Sequence, residues 1–243
     1  MRKSIIIMSL LFLSCAVFHK EKPTPADILV KADEEFSKGN YSKAEKLYTD
    51  YLTVEPLSPD VARVHFMLGK CLYEDKDFEA ALSKFSFVTT NFPTSEYAPE
   101  ADLMLGKCYL ALSPKPELDQ SYTRRAILYF RNFIESYPDS PLVPEAKKGI
   151  KQAREKLARK QLLSARFYFR ISQFKAARIY LEELLDEYPE VAFIDEAKLL
   201  LAKTYLHLGE KDRAISLFEE LTKSPEKKIA RKSEKELEKL KNE

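Results

Sequence analysis

The sequence predicts an all-α solenoid of five consecutive helix-turn-helix repeats, with one long helix between the third and fourth. Three observations predict it. First, a small residue, a later alanine and a late proline recur in register. The small residues are Ala32, Gly69, Gly106, Ala165 and Ala202, and the alanines are Ala44, Ala81, Ala126, Ala177 and Ala214. The prolines are Pro56, Pro93, Pro138 and Pro189, with Pro225 one position early. Second, Met67-Leu-Gly-Lys-Cys-Leu72 recurs as Met104-Leu-Gly-Lys-Cys-Tyr109, displaced by 37 residues. Third, apolar residues follow the helical period: Leu68, Gly69 and Leu72 share one stripe, and Ala81, Phe85 and Val88 share another.

Each repeat has a physical logic. Small residues sit where two paired helices cross closely, and the large residue four beyond each alanine (Tyr48, Phe85, Phe130, Leu181, Phe218) fills the groove beside the crossing. The proline ends the second helix, because it lacks an amide proton and clashes with the preceding turn. This is the tetratricopeptide (TPR) pattern. The alanine spacings are 37, 45, 51 and 37, and both departures can be placed. The first belongs to Ser113–Gln120, SPKPELDQ, whose two prolines forbid a continuous helix. The second lies within Pro141–Arg170 and amounts to about four extra helical turns, so a single helix over Pro144–Arg170 returns its apolar face to the same side.

The two ends read differently from the middle. Residues 1–14, MRKSIIIMSLLFLS, form an export signal: Arg2 and Lys3 precede an apolar run too short to span a bilayer. Phe12-Leu-Ser-Cys15 resembles the bacterial lipobox, with Phe12 where leucine is usual, and this makes Cys15 the candidate lipidation site. Residues 15–25 then form a lipidated tether, 26–140 carry repeats 1–3, and 141–243 carry the long helix, repeats 4–5 and a capping helix. In that last helix Ile229, Leu237 and Leu240 make one apolar stripe under an otherwise charged surface, as a terminal cap requires.

Composition narrows the function class. The 243 residues carry 40 Lys+Arg and 38 Asp+Glu, and loss of residues 1–14 leaves the two signs equal. Nucleic-acid binding needs a basic excess and is disfavoured as the main role. His19, His65 and His207 fall in no metal-ligand spacing, no glycine-rich phosphate loop occurs, and the paired acids Glu182-Glu183 and Glu219-Glu220 sit on solvated helix faces. The sequence therefore implies no cofactor, no metal and no enzyme. Cys71 and Cys108 occupy equivalent positions on neighbouring first helices, about 8–10 Å apart, too far for a disulfide, so both read as small core residues. The run Lys147–Lys160, seven basic residues with one acid, reads as the solvated exterior of the long helix, with an anionic surface or acidic partner as the other reading.

Tyr122-Thr-Arg-Arg-Ala-Ile-Leu-Tyr-Phe-Arg-Asn-Phe-Ile-Glu-Ser-Tyr-Pro-Asp-Ser140 resembles the third repeat of the BamD family, TPR lipoproteins of outer-membrane β-barrel assembly. Leu157-Ala158, Ala165-Arg-Phe-Tyr168, Phe174-x-x-Ala177, Glu187-Tyr-Pro189, Tyr41-x-x-Ala44 and Asn91-Phe-Pro-Thr-Ser95 extend the likeness. The resemblance implies a scaffold on the inner leaflet of the outer membrane, facing the periplasm. It implies docking of the C-terminal repeats on the POTRA domains of a BamA-like barrel protein, contact with other assembly lipoproteins, and reception of unfolded outer-membrane protein segments by the N-terminal repeats. Candidate partner-binding residues are then Lys175 and Arg178 on the second helix of repeat four, and Tyr73, Tyr97 and Tyr109 in the N-terminal groove. Tyr180 stands where a basic residue would be sought. Two other readings share the solenoid: a periplasmic TPR lipoprotein coordinating peptidoglycan-linked complexes, and a soluble peptide-binding chaperone.

Overall fold

The computed structural model describes residues 23–242. Cys15, the export signal and most of the tether lie outside the described residues. The described chain is helical from end to end. Repeat one is α1 (Pro25–Ser37) and α2 (Tyr41–Val54), and repeat two is α3 (Val61–Glu74) and α4 (Phe78–Asn91). Repeat three is α5 (Ala98–Leu112) and α6 (Ser121–Ser136). The long helix α7 (Val143–Arg170) pairs with α8 (Phe174–Glu187), α9 (Ile194–His207) pairs with α10 (Lys211–Leu221), and α11 (Lys227–Lys241) closes the end. Each helix packs on the next in chain order, while the first helices of successive repeats also touch, α5 on α7, α7 on α9 and α9 on α11. That is a solenoid: every repeat buries its apolar face on its neighbours.

Four of the intra-repeat turns are built the same way. Gly39, Lys76, Ser172 and Gly209 take the left-handed conformation, with φ of 78°, 65°, 60° and 79°. The amide of the following residue reaches back five positions, as in Asn40 N–H to Glu35 C=O at 2.9 Å and Glu210 N–H to Tyr205 C=O at 2.9 Å. Glycine adopts this conformation at no side-chain cost, whereas Lys76 and Ser172 hold it against roughly 1 kcal/mol of strain. Repeat three replaces this turn with the loop 113–120. Its core is Gln120, fully buried, whose amide donates to the Lys115 and Leu118 carbonyls at 2.8 and 3.2 Å while its oxygen accepts from Thr123 at 2.6 Å.

The long helix joins two cores. Ala146 packs with Leu103, Ala126, Phe130 and Phe133, whereas Ala158, Leu162 and Ala165 pack with Leu181, Ala202 and Phe218. Phe130 is the key to the first. It is fully buried, and a Cβ added at Gly106 would meet its Cδ1 at 2.6 Å, while one added at Gly149 would also strike the ring. The ring is thus held between two bare backbones, which is why α7 carries a glycine in mid-helix.

The basic run of α7 departs from a solvated exterior. Arg154 donates to Glu190 at 2.5 Å and lies 5.0 Å from the Tyr188 ring, and Arg159 stands 3.7 Å from the Phe193 ring. The Lys156 ammonium donates to the Ser113 carbonyl at 2.7 Å and Lys160 to the Leu118 carbonyl at 2.8 Å. Desolvation pulls the Lys156 pKa below the usual lysine value. These four side chains fasten the 113–120 loop and the α8–α9 connection to α7, leaving Lys147, Lys148 and Lys151 exposed. Cys71 and Cys108 are buried free thiols, each pushed by burial up to about 12.

His65 makes the fold sensitive to acid. Its ring stacks on Phe87 at 3.8 Å, Nδ1 is buried without a hydrogen bond, and burial lowers its pKa to about 4. Lys84 adds to that lowering. The unfolded chain binds this proton near pH 6.5, so stability is full above that pH and is lost as pH falls toward 4. We expect His65→Phe to remove about 2 kcal/mol of the wild-type acid loss, read as urea midpoints at pH 7 and pH 4. Parallel pH curves for the two proteins would refute it.

Candidate interaction surfaces

In repeats 1–4 the residue after the close-approach small residue builds a ladder along the first helices. Lys70 pairs with Glu100 at 3.4 Å, Lys107 with Glu145 at 2.8 Å, and Arg166 with Glu196. In repeat one the charges are reversed, Asp33 against Arg63, and Asp33 also accepts from the buried Tyr48 hydroxyl at 2.5 Å. In every case the partner is the third residue of the next first helix. Such pairs are half exposed and contribute roughly 0–1 kcal/mol each, so their role is register between repeats rather than bulk stability. The sequence carried the signal: the residue following Ala32, Gly69, Gly106 and Ala165 is charged each time.

The three candidate tyrosines of repeats 2–3 occupy different environments. Tyr73 is half-buried, edge-on to Phe78 at 5.2 Å, with the Lys107 ammonium 5.6 Å from its ring centre. It lines a cleft of about 290 Å³ together with Lys107, Glu145, Lys148 and Gln152. Burial raises its pKa, keeping the phenol a neutral donor. Tyr97, just ahead of α5, packs on Phe66 at 5.5 Å in the core of repeats 2–3. Tyr109 stacks on Tyr129 at 5.0 Å, with the Arg125 guanidinium 5.8 Å from its ring centre. Only Tyr73 of the three lines that cleft.

In repeats 4–5 the two candidate basic residues diverge. Lys175 is exposed and makes no ion pair among the described residues. Arg178 is half-buried in a four-membered ring of charges. It meets Glu210 at 2.8 Å and Glu182 at 3.9 Å, while Arg213 meets the same two acids at 2.9 and 3.4 Å. Hydrogen bonds from Arg213 and Arg178 hold the Glu210 carboxyl below its usual range. The Tyr205 hydroxyl donates to Glu182 at 2.8 Å, and burial together with that carboxylate pushes its pKa up to about 12. Arg178 is therefore occupied within the chain, joining α8 to α10. Tyr180 stacks on Tyr168 at 5.3 Å.

Comparisons with known proteins identify relatives of this chain. The family model of YfiO, described as an outer membrane lipoprotein, matches residues 21–221. The chain is 22% identical over 196 residues to the outer membrane protein assembly factor BamD of Caulobacter vibrioides, covering 81% of this chain and 64% of that one. It is 25% identical over 197 residues to the factor of the same name from Xylella fastidiosa (strain 9a5c), covering 76% and 66%. A relative from Aquifex aeolicus (strain VF5) is 29% identical over 162 residues, 66% of this chain and 53% of that one. The chain thus spans about half to two-thirds of the length of the curated relatives it matches. Among solved structures, a thermophilic TPR protein of Thermus thermophilus aligns at 16% identity and a TM-score of 0.39, over 86% of this chain and 95% of that one.

Proposed function

The chain belongs to the YfiO family of outer-membrane lipoproteins, and on that premise we propose that it is a non-catalytic scaffold for assembly of outer-membrane proteins. The match over residues 21–221 carries this reading, because it runs through all five repeats and the long helix rather than through a generic pair of TPR units. In the proposal a lipid on Cys15 holds the solenoid to the outer membrane, facing the periplasm. Repeats 4–5 dock on a BamA-like barrel protein through its POTRA domains, with other assembly lipoproteins nearby. Lys175, exposed and unpaired among the described residues, supports a basic contact there, whereas Arg178 acts by fixing the angle between α8 and α10. The cleft beside Tyr73, walled by repeats 2–3 and the start of α7, supports reception of an extended, unfolded outer-membrane protein segment by the N-terminal repeats: its tyrosine, lysines and glutamine offer both a ring and hydrogen-bonding groups.

The test is a pull-down of the native protein from detergent-solubilised outer membranes, with partners identified by mass spectrometry. The expected result is recovery of a large barrel protein with periplasmic POTRA repeats, reduced at least tenfold by Lys175→Glu. Recovery of peptidoglycan-associated proteins in its place would overturn the proposal and select the envelope-coordinator reading.

A further inference from the structure

Repeats 3 and 4 carry a stacked pair of tyrosines at matching positions, and repeat 5 keeps only one of the two rings. Three residues after the small residue of the first helix, repeats 3, 4 and 5 all carry tyrosine: Tyr109, Tyr168 and Tyr205. Three residues after the alanine of the second helix, repeats 3 and 4 carry Tyr129 and Tyr180, but repeat 5 carries Leu217. The consequence is geometric. Tyr109 stacks on Tyr129 at 5.0 Å and Tyr168 on Tyr180 at 5.3 Å, whereas Tyr205 has no aromatic partner among the described residues and is met on its ring only by the Arg213 guanidinium, 4.4 Å from the ring centre. Where the missing ring would lie, a cleft of about 640 Å³ opens between α8 and α10 over α9, with Leu185, Leu201, Tyr205 and Leu217 as its apolar lining.

The rim of this cleft has a sign. Glu182 and Glu210 are balanced by Arg178 and Arg213 in the charge ring. Asp186 and Asp212, which line the cleft and are exposed, have no ion pair among the described residues. The adjoining acids Glu183 and Glu187 on α8 are exposed as well. An apolar slot with uncompensated carboxylates on its two edges favours a ligand that is apolar at its tip and cationic beside it.

We propose that the α8–α10 cleft is a docking slot for a protein segment that inserts an aromatic or aliphatic side chain beside Tyr205, with adjacent lysine or arginine meeting Asp186 and Asp212. The scaffold reading gives this slot its biological meaning, but its test does not depend on that reading. Leu217→Tyr restores the ring that repeats 3 and 4 already possess, so the variant closes the slot by a packing the fold uses twice. The paired variant Asp186→Lys/Asp212→Lys keeps the slot and inverts its edge.

The experiment is fluorescence anisotropy of the full-length purified protein against a labelled peptide alternating lysine with phenylalanine. A glutamate–phenylalanine peptide and a lysine–serine peptide serve as controls. Wild type is expected to bind the lysine–phenylalanine peptide at least tenfold more tightly than either control. Leu217→Tyr should weaken that binding tenfold or more while leaving the thermal midpoint unchanged or higher. The double charge reversal should switch the preference to the glutamate–phenylalanine peptide. Equal affinity for the three peptides, or lysine–phenylalanine binding that survives both variants, overturns the proposal. Loss of the POTRA-containing partner in the membrane pull-down, with this peptide preference intact, would overturn the scaffold reading and leave the slot standing.

Discussion

Phe130→Ala is expected to lower the unfolding free energy by about 3–5 kcal/mol, the cost of emptying a fully buried aromatic site. Phe130 belongs to the core that joins repeat three to the N-terminal half of α7, with Leu103, Ala126, Phe133 and Ala146 around it. Two backbones close on its ring, at Gly106 and Gly149, so neither neighbour can relax into the cavity by rotating a side chain. The converse substitution is the sharper test. Gly149→Ala gains about 1 kcal/mol of helix propensity but drives a methyl into the ring, and the ring cannot retreat because Gly106 abuts it from α5. Overpacking of this kind costs roughly 1–3 kcal/mol, so the net change is destabilising. Phe130→Leu, with a smaller side chain, should restore most of the loss when combined with Gly149→Ala. The measurement is urea denaturation of the two single variants and the double variant. A Gly149→Ala protein more stable than wild type, or additive losses in the double variant, would show that the ring is not confined in this way.

That site illustrates what a single sequence displays and what it hides. The register of small residue, alanine and proline exposed the five repeats and the long helix, because those positions report helix crossings that recur at nearly constant spacing. Gly149 gave no such signal: it sits in a run of lysines and arginines where a glycine looks like a weak point of an exposed helix. Its partner, Phe130, lies on another helix, and sequence spacing carries no information on that distance. The basic run itself misled for a related reason. Arg154, Lys156, Arg159 and Lys160 find acceptors and rings that belong to loops some 34 to 43 residues away in the chain, and only the fold brings them together. The charge ladder was legible in principle, since it repeats at one register position. What concealed it was the reversal of sign at Asp33 and Arg63, which hides the rule from a search for lysine or arginine alone. Of the candidate contact residues, Arg178 shows the general difficulty. A basic residue on a helix has the same appearance in sequence whether it faces a partner or closes an internal ring of charges.

Cys15→Ser is expected to abolish incorporation of palmitate and move the protein from the membrane pellet to the soluble fraction. A single fourteen-carbon acyl chain gives membrane partitioning of only about 10⁴ M⁻¹, so stable anchoring requires a second chain or another membrane-binding element. A lipobox cysteine, acylated on both its thioether-linked glycerol and its new amino terminus, would supply several chains at one residue. Serine has no thiol to receive the first lipid, so all of them are lost together rather than one at a time. Among the described residues no helix is long and apolar enough to cross a membrane, and none of these helices would supply a span in place of the lipid. The basic run of α7 offers little in its place, because four of its seven basic residues are spent on loops within the chain. The experiment combines metabolic labelling with an alkynyl palmitate and membrane fractionation at low and high salt. Release of Cys15→Ser at both salts, with loss of label, supports a lipid anchor. Label retained on the variant would place the acyl chains on another residue. An unlabelled wild-type protein would reduce the leader to a plain export signal with an incidental cysteine, and the scaffold would then have to be held at the membrane by its protein partners alone.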